Sequence, residues 1–209
     1  RDEIKVNVLG INHFTWIDKA SYKGIDLMPV FSQFADKYLE VGYKGHQQVK
    51  FDLFKRYGII AAAGDRHLSE FVPGKWYLKD PETVKSYGFA LTTVQSRIDG
   101  QNERIAKSKR LVSGEEQFVL RKSGEEGVHQ MKALLGLGDI ITNVNMPNRG
   151  QMPDVPAGCV VETNAVFRKN SVTPVLAGSL PTPVQNLVMR IVNNQETILK
   201  AAINKDYDL

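Results

Sequence analysis

Apolar residues recur along this chain with two different periods, and the switching between them rules out a repeat array and a pure helical bundle. IKVNVLG, from Ile4 to Gly10, reads as a strand, and so does GCVVETNAVF from Gly158 to Phe167. DIITNVNMPNRG, from Asp139, alternates into a turn, and VTPVLAGSLP reads as an extended edge segment ending at Pro181. Helical spacing governs most of the rest. Leu27, Val30, Phe31, Phe34 and Leu39 form one stripe, and Val49, Leu53 and Phe54 another within Gln47 to Tyr57. Val128, Met131, Leu134 and Leu135 make a third, for which Ser123 and Glu126 offer a reciprocal N-terminal cap and Gly136 a stop. Pro183 opens a fourth helix whose buried stripe is Val184, Leu187, Val188, Ile191 and Val192. From Pro81 to about Arg110 the sequence reads as mostly helix with a weak apolar face. The fold class expected is α/β, in its mixed α+β form.

Composition narrows the function classes. With 42% hydrophobic and 24% charged residues in 209, the chain has the make-up of a globular protein with a sizeable core. No apolar run approaches the roughly eighteen residues of a membrane span, so no membrane partner and a cytoplasmic setting are expected. A single cysteine, Cys159, excludes an internal disulfide and a CxxC zinc site. The net charge of +4 is concentrated in RIAKSKR, Arg104 to Arg110, which carries no aromatic residue for base stacking. It reads as a solvated helix end, and no nucleic-acid partner is expected. No linker or repeat divides the chain. It begins with Arg1 almost directly on a strand and breaks off after a helix at AAINKDYDL, so a fragment of a longer protein is expected.

Three stretches carry candidate chemistry. VLGINHFTWID places Asn12 and His13 between a strand and an aromatic pair, where a lone histidine is more often a satisfied structural residue than a ligand. GDRHLSEF, Gly64 to Phe71, offers Asp65 as a general base, Arg66 as a carboxylate or phosphate clamp, His67 as acid, base or ligand and Glu70 as a second carboxylate. The alternative is a helix start with Asp65 as its N-cap. Asn143, Asn145, Asn148 and Asn164 suit either a polyhydroxylated ligand or turn chemistry, and turn chemistry is favoured. GLGD, Gly136 to Asp139, follows a helix and lacks the third glycine of a dinucleotide loop, so it reads as a helix C-cap.

In order, these blocks resemble the C-terminal part of glycoside hydrolase family 4. GINHFTWI is similar to that family's G-(I/L)-N-H motif with its following Trp, YKGIDLMP to the next segment, and SGEE and NVNMPNRGQMPDVPAGCVVETNAVF to later blocks. GDRHLSEF resembles the branch containing α-galacturonidases and α-galactosidases. The resemblance implies a C-terminal domain related to those of lactate and malate dehydrogenases. It also implies NAD on an N-terminal Rossmann domain absent from this chain, a divalent metal, usually Mn2+, and a homodimer or homotetramer. Bond cleavage in the family proceeds by oxidation at sugar C3, proton removal at C2 and elimination. Carried over, His13 matches the metal ligand and Asn12 is its neighbour at the sugar. The family's other protein ligand, a Cys, lies in a block preceding this sequence, and Cys159 is not that residue. Asp65 and Tyr57 are the candidate bases, with Asp65 preferred, and Arg66 or His67 can meet the carboxylate of a uronic acid. A fragment without the nucleotide-binding half is expected to be inactive alone. A 2-hydroxy-acid dehydrogenase and a non-catalytic sugar-binding module are the alternatives.

Overall fold

The computed structural model describes residues 3–40, 47–121 and 123–209. Ile4–Ile11 (β1) and Phe14–Tyr22 (β2) form an antiparallel hairpin, extended by the short strands Ile25–Asp26 (β3) and Ile60–Ala61 (β4), both paired to β2. A second, three-stranded antiparallel sheet is made by Ile140–Pro147 (β5), Val160–Arg168 (β6) and Ser171–Pro174 (β7). The two sheets are tied where the Asn164 side chain of β6 donates to Val6 O of β1 at 2.7 Å, and next to it Asn7 donates to Ala177 O, past the end of β7, at 2.8 Å. The mixed α+β class expected from the two apolar periods is the one observed.

The hairpin is long because its inner residues have somewhere to go. Leu9, Ile11, Phe14 and Trp16 are all essentially inaccessible. They pack against Val49 and Leu53 of Gln48–Tyr57 (α2), Leu68 of Asp65–Phe71 (α3), and Val184, Val188 and Val192 of Thr182–Asn204 (α7). The α7 stripe recurs every fourth residue, as an amphipathic helix lying on a core requires. Gly10 sits at φ 142°, and a Cβ there would come within 2.6 Å of Phe14 O, so only glycine lets the strands close at this point. An extra residue at Asp18 shifts the register between Asn7 and Val8, and Asn7 donates to the Asp18 carboxylate at 2.7 Å across the bulge.

Smaller apolar clusters seat Met28–Glu40 (α1) through Ala35 on Phe51 and Phe54, and Gly127–Leu134 (α6) through Ala133 on Ala165 and Phe167. The segment from Pro81 to about Arg110, expected to be mostly helix, is two helices, Pro81–Ser86 (α4) and Val94–Ser113 (α5), with Gly88 in the left-handed region between them. The expected Ser123–Glu126 cap does not form. The Ser123 hydroxyl accepts from Glu125 N at 3.4 Å, while Glu126 already has helical backbone and makes no side-chain cap. Gly136, at φ 81° two residues past α6, stops the helix as read from the sequence.

Candidate functional site

Ile11 pairs with Phe14, so Asn12 and His13 are the whole link between β1 and β2. His13 stands at φ 62°, a left-handed conformation that costs an L-residue about 1–2 kcal/mol. Asn and His tolerate it better than most residues. The turn lifts both side chains into solvent while Ile11 and Phe14 on either side are buried.

Pairing of β4 with β2 brings a second element to this tip. Ala61 lies opposite Trp16, and Ala62 N donates to Thr15 O at 2.9 Å, so the chain runs alongside the hairpin toward its turn before α3 begins. His67, on the first turn of α3, therefore meets His13. Their ring centroids are 4.5 Å apart with planes at 42°, and His67 Nδ1 is 3.6 Å from a Glu70 carboxylate oxygen. On the opposite side Asn145 of β5 donates to the Asn12 amide oxygen at 3.5 Å, the outer limit for such a bond. Asn143 donates to Glu162 on the same exposed face of that sheet at 2.5 Å.

A cleft of about 330 Å³ lies beside α3, lined by Gln47, Gly64 to His67, and the segment from Tyr87 to Ala90. Asp65 and Arg66 form its walls with side chains already engaged. The Asp65 carboxylate accepts from Val49 N and Lys50 N, each at 3.2 Å. Asp65 is thus not the N-cap of its own helix, a place taken by Gly64. Arg66 Nη1 donates to Ala90 O at 2.9 Å and Thr92 Oγ1 at 3.3 Å. Lys50 donates to Ala62 O at 3.3 Å, and burial lowers its pKa while the Asp65 charge opposes the shift. Tyr57 stands apart. Its half-buried ring meets Trp16 edge-on at 6.2 Å, and burial pushes its phenol pKa up, with nearby Arg56 opposing.

Of the residues singled out in the sequence, the fold brings Asn12, His13 and His67 to one place. Asp65 and Arg66, the residues before His67, line the adjoining cleft with their side chains bonded to α2 and to the Ala90–Thr92 segment. Asn145, Gln47 and Lys50 were missed as site residues. The alternation in IITNVNMP does put Asn143 and Asn145 on one face of a strand, but the asparagines were read together as turn chemistry. That reading holds for Asn148, which is buried and whose amide donates to Met152 O and Val155 O and accepts from Gly150 N and Met152 N. Lys50 and Gln47 leave no trace in the sequence because their neighbours lie on other elements.

Among the described residues, no group of three or more His, Cys, Asp or Glu side chains converges as a cation site. His13 is an accessible imidazole, a donor that suits manganese as one ligand among oxygens and fits a site completed from elsewhere. The Gly136–Gly138 pair caps α6 and does not follow a strand, so it does not fit a dinucleotide. No helix among the described residues is long and apolar enough to cross a membrane. In the basic cluster of α5, Lys107 and Arg110 pair with Glu116.

Residues 8–209 match the family model described as the family 4 glycosyl hydrolase C-terminal domain. The chain belongs to family 4 of the glycosyl hydrolases. An α-galacturonidase of Thermoanaerobacterium saccharolyticum is 60% identical over 222 aligned residues, covering all of this chain and 48% of that protein. The crystal structure of lplD from Bacillus subtilis superposes with a TM-score of 0.89 at 46% identity, over 98% of this chain and 49% of that one. A 6-phospho-α-glucosidase from gut microorganisms, solved with NAD and Mn2+, shares the fold with a TM-score of 0.70 at 14% identity, over 99% of this chain and 49% of that one. The family 4 chain described here therefore spans about half the length of the relatives it matches.

Proposed function

We propose that this chain supplies the sugar- and metal-facing half of an α-galacturonidase that works with NAD and Mn2+. The observation that carries the reading is the 60% identity to an α-galacturonidase over an alignment that covers the whole chain. The 6-phospho-α-glucosidase of the same fold, solved with NAD and Mn2+, supports the choice of cofactors. In this reading His13 holds the metal, and Asn12, braced by Asn145, meets a sugar hydroxyl as donor or acceptor. His67 lies against the His13 ring and faces the substrate carboxylate, with Arg66 contributing its remaining N–H donors from the cleft wall. Bound there, the metal ion supplies Lewis-acid polarisation of the sugar oxygens. In this reading NAD binds to the half of the relatives' length that this chain does not span.

A base must take up the sugar proton, and the two candidates differ in what surrounds them. Tyr57 has a raised pKa, which opposes formation of the phenolate yet makes a strong acceptor once it forms. Asp65 has both oxygens turned to the α2 amides. With both Asp65 oxygens taken up at α2, Tyr57 is the base in this reading, in place of the Asp65 preferred from sequence.

The test uses the full-length protein with a nitrophenyl α-galacturonide, NAD and Mn2+. Turnover should vanish on chelation, return with Mn2+, and fall at least a hundredfold in His13→Ala together with Mn2+ affinity. Activity that survives removal of both NAD and metal would overturn the reading. We further propose a cytoplasmic homodimer or homotetramer; a monomer mass by light scattering at micromolar concentration would contradict the assembly.

A further inference from the structure

We propose that Asp65 is a positioning residue: its carboxylate is the N-terminal cap of α2, and through that cap it holds His67 against His13. The inference rests on the reading of the His13–His67 contact as the working site. It starts from a deficiency in α2. That helix begins after Gln47, which lies at φ 92° and makes no side-chain cap, so the residue before the helix serves neither Val49 N nor Lys50 N with its side chain. The N–H groups of Val49 and Lys50 occupy the second and third helical positions, those a capping side chain normally serves. Asp65 reaches in from another element to accept from both at 3.2 Å, one to each oxygen. A carboxylate at that end also complements the positive pole of the helix.

The same turn of α2 returns a tie. Lys50 Nζ donates to Ala62 O at 3.3 Å, fixing the segment that leads from β4 into α3. The lowered pKa of Lys50, with Asp65 opposing the shift, agrees with two groups sharing a partly buried space. Arg66, next in sequence, braces in another direction through Ala90 and Thr92. With Leu68 and Ser69 buried behind it, α3 is a seven-residue helix pinned at its first turn. His67 is the member of the GDRH stretch left facing the hairpin, and its place is set by its two predecessors. Both oxygens of Asp65 point toward α2 amides, which explains the acidic residue here without a proton-transfer role.

The experiment compares wild type, Asp65→Asn and Asp65→Ala in the full-length protein, read in two ways. Without NAD, metal or sugar, amide exchange at Val49 and Lys50 and the imidazole resonances of His13 and His67 are followed by NMR. With all three present, kcat is measured. Asparagine keeps an acceptor oxygen for the helix but cannot serve as a base. A cap therefore predicts that Asp65→Asn keeps at least a tenth of wild-type kcat, with exchange still slowed at one of the two amides, since asparagine has one acceptor oxygen where the carboxylate has two. Asp65→Ala should lose about a hundredfold in kcat, exchange at least tenfold faster at both amides, and show shifted imidazole resonances. The proposal is overturned if Asp65→Asn is as inactive as Asp65→Ala while its imidazole resonances remain as in wild type and at least one amide stays protected, since that pattern belongs to a base. Should Asp65→Ala fail to fold, the asparagine variant alone decides between these outcomes. A wild-type protein without galacturonidase activity would sink the proposed function, whereas the exchange and imidazole readouts would still decide the role of Asp65.

Discussion

The β1–β2 hairpin and helix α5 both carry regularly spaced large apolar side chains, and the fold treats them in opposite ways. In the hairpin, Leu9, Ile11, Phe14 and Trp16 are at most 1% exposed. In α5, Val94, Ile98, Ile105 and Val112 are 46–90% exposed, and no residue of the helix is buried. The hairpin's elements are seated by long-range packing, with α2, α3 and α7 closing over it. What holds α5 is local: Thr93 accepts from Ser96 N at 3.1 Å to cap one end, and Gly114 turns left-handed at the other, where Arg110 pairs with Glu116. Apolar periodicity thus specifies a helix without specifying that anything covers it. A helix held by local forces alone is marginal, and its stability should respond to propensity, while the hairpin's should respond to volume.

Substitutions can break that contrast. The largest effect should come from Trp16→Ala, a fully buried indole, which should cost about 3–5 kcal/mol in urea unfolding. A loss below about 1 kcal/mol would show that the hairpin is not the centre of the core. Gly10→Ala should follow at about 2 kcal/mol or more, because the new Cβ meets backbone at 2.6 Å and the φ of 142° disfavours any side chain.

The packed half should also show a pH signature. Tyr77 is buried and its hydroxyl donates to Asp52 at 2.5 Å; burial first and that contact second push its pKa far above the usual 10. The unfolded chain ionises near pH 10 and the folded chain does not. Stability from Tyr77 is therefore complete below about pH 10 and is lost as the pH rises above it. Unfolding midpoints at about pH 9 and pH 11 should differ less in Tyr77→Phe than in wild type; equal differences would remove Tyr77 as the cause.

In α5 the expected changes are smaller, and one has the opposite sign. Gly100 lies within the helix, and a Cβ there meets only the movable end of Arg104 at 3.4 Å, so Gly100→Ala should stabilise the helix by about 0.5–1 kcal/mol. Ile105→Ala should change stability by no more than about 0.5 kcal/mol. A core-sized loss at Ile105 would mean that α5 is covered in solution, which would sharpen the case for an assembly through that helix.

Much of this was legible because it is local. The α7 stripe of Val184, Val188 and Val192 was readable since a period of about four residues needs nothing but its own helix, and Pro183 marks the start of that helix. The Gly136 stop was readable for the same reason. The Ser123 cap was not: α6 begins at Gly127 with Glu126 before it, three residues later than a cap at Ser123 requires. Asp65 shows the same limit at the site. Its place in an acidic, basic and imidazole cluster marked it for chemistry, but its partners Val49 and Lys50 precede it by a turn, a strand and a loop. Asn145 was grouped with Asn148 although one is on an exposed strand face and the other is a buried loop organiser.

By itself the sequence determined the mixture of strand and helix, the apolar stripes of α2 and α7, and the family to which its ordered blocks belong, because each is carried by neighbouring residues; the strands β2, β3 and β4 were not read from it. Only the tertiary structure decided that His13 stands on a two-residue turn with His67 against its ring, that Asp65 faces α2, and that α5 lies uncovered. The places of His67 and Asp65 depend on how β4 closes onto β2, and a contact between distant segments exists only once the chain between them has been folded back.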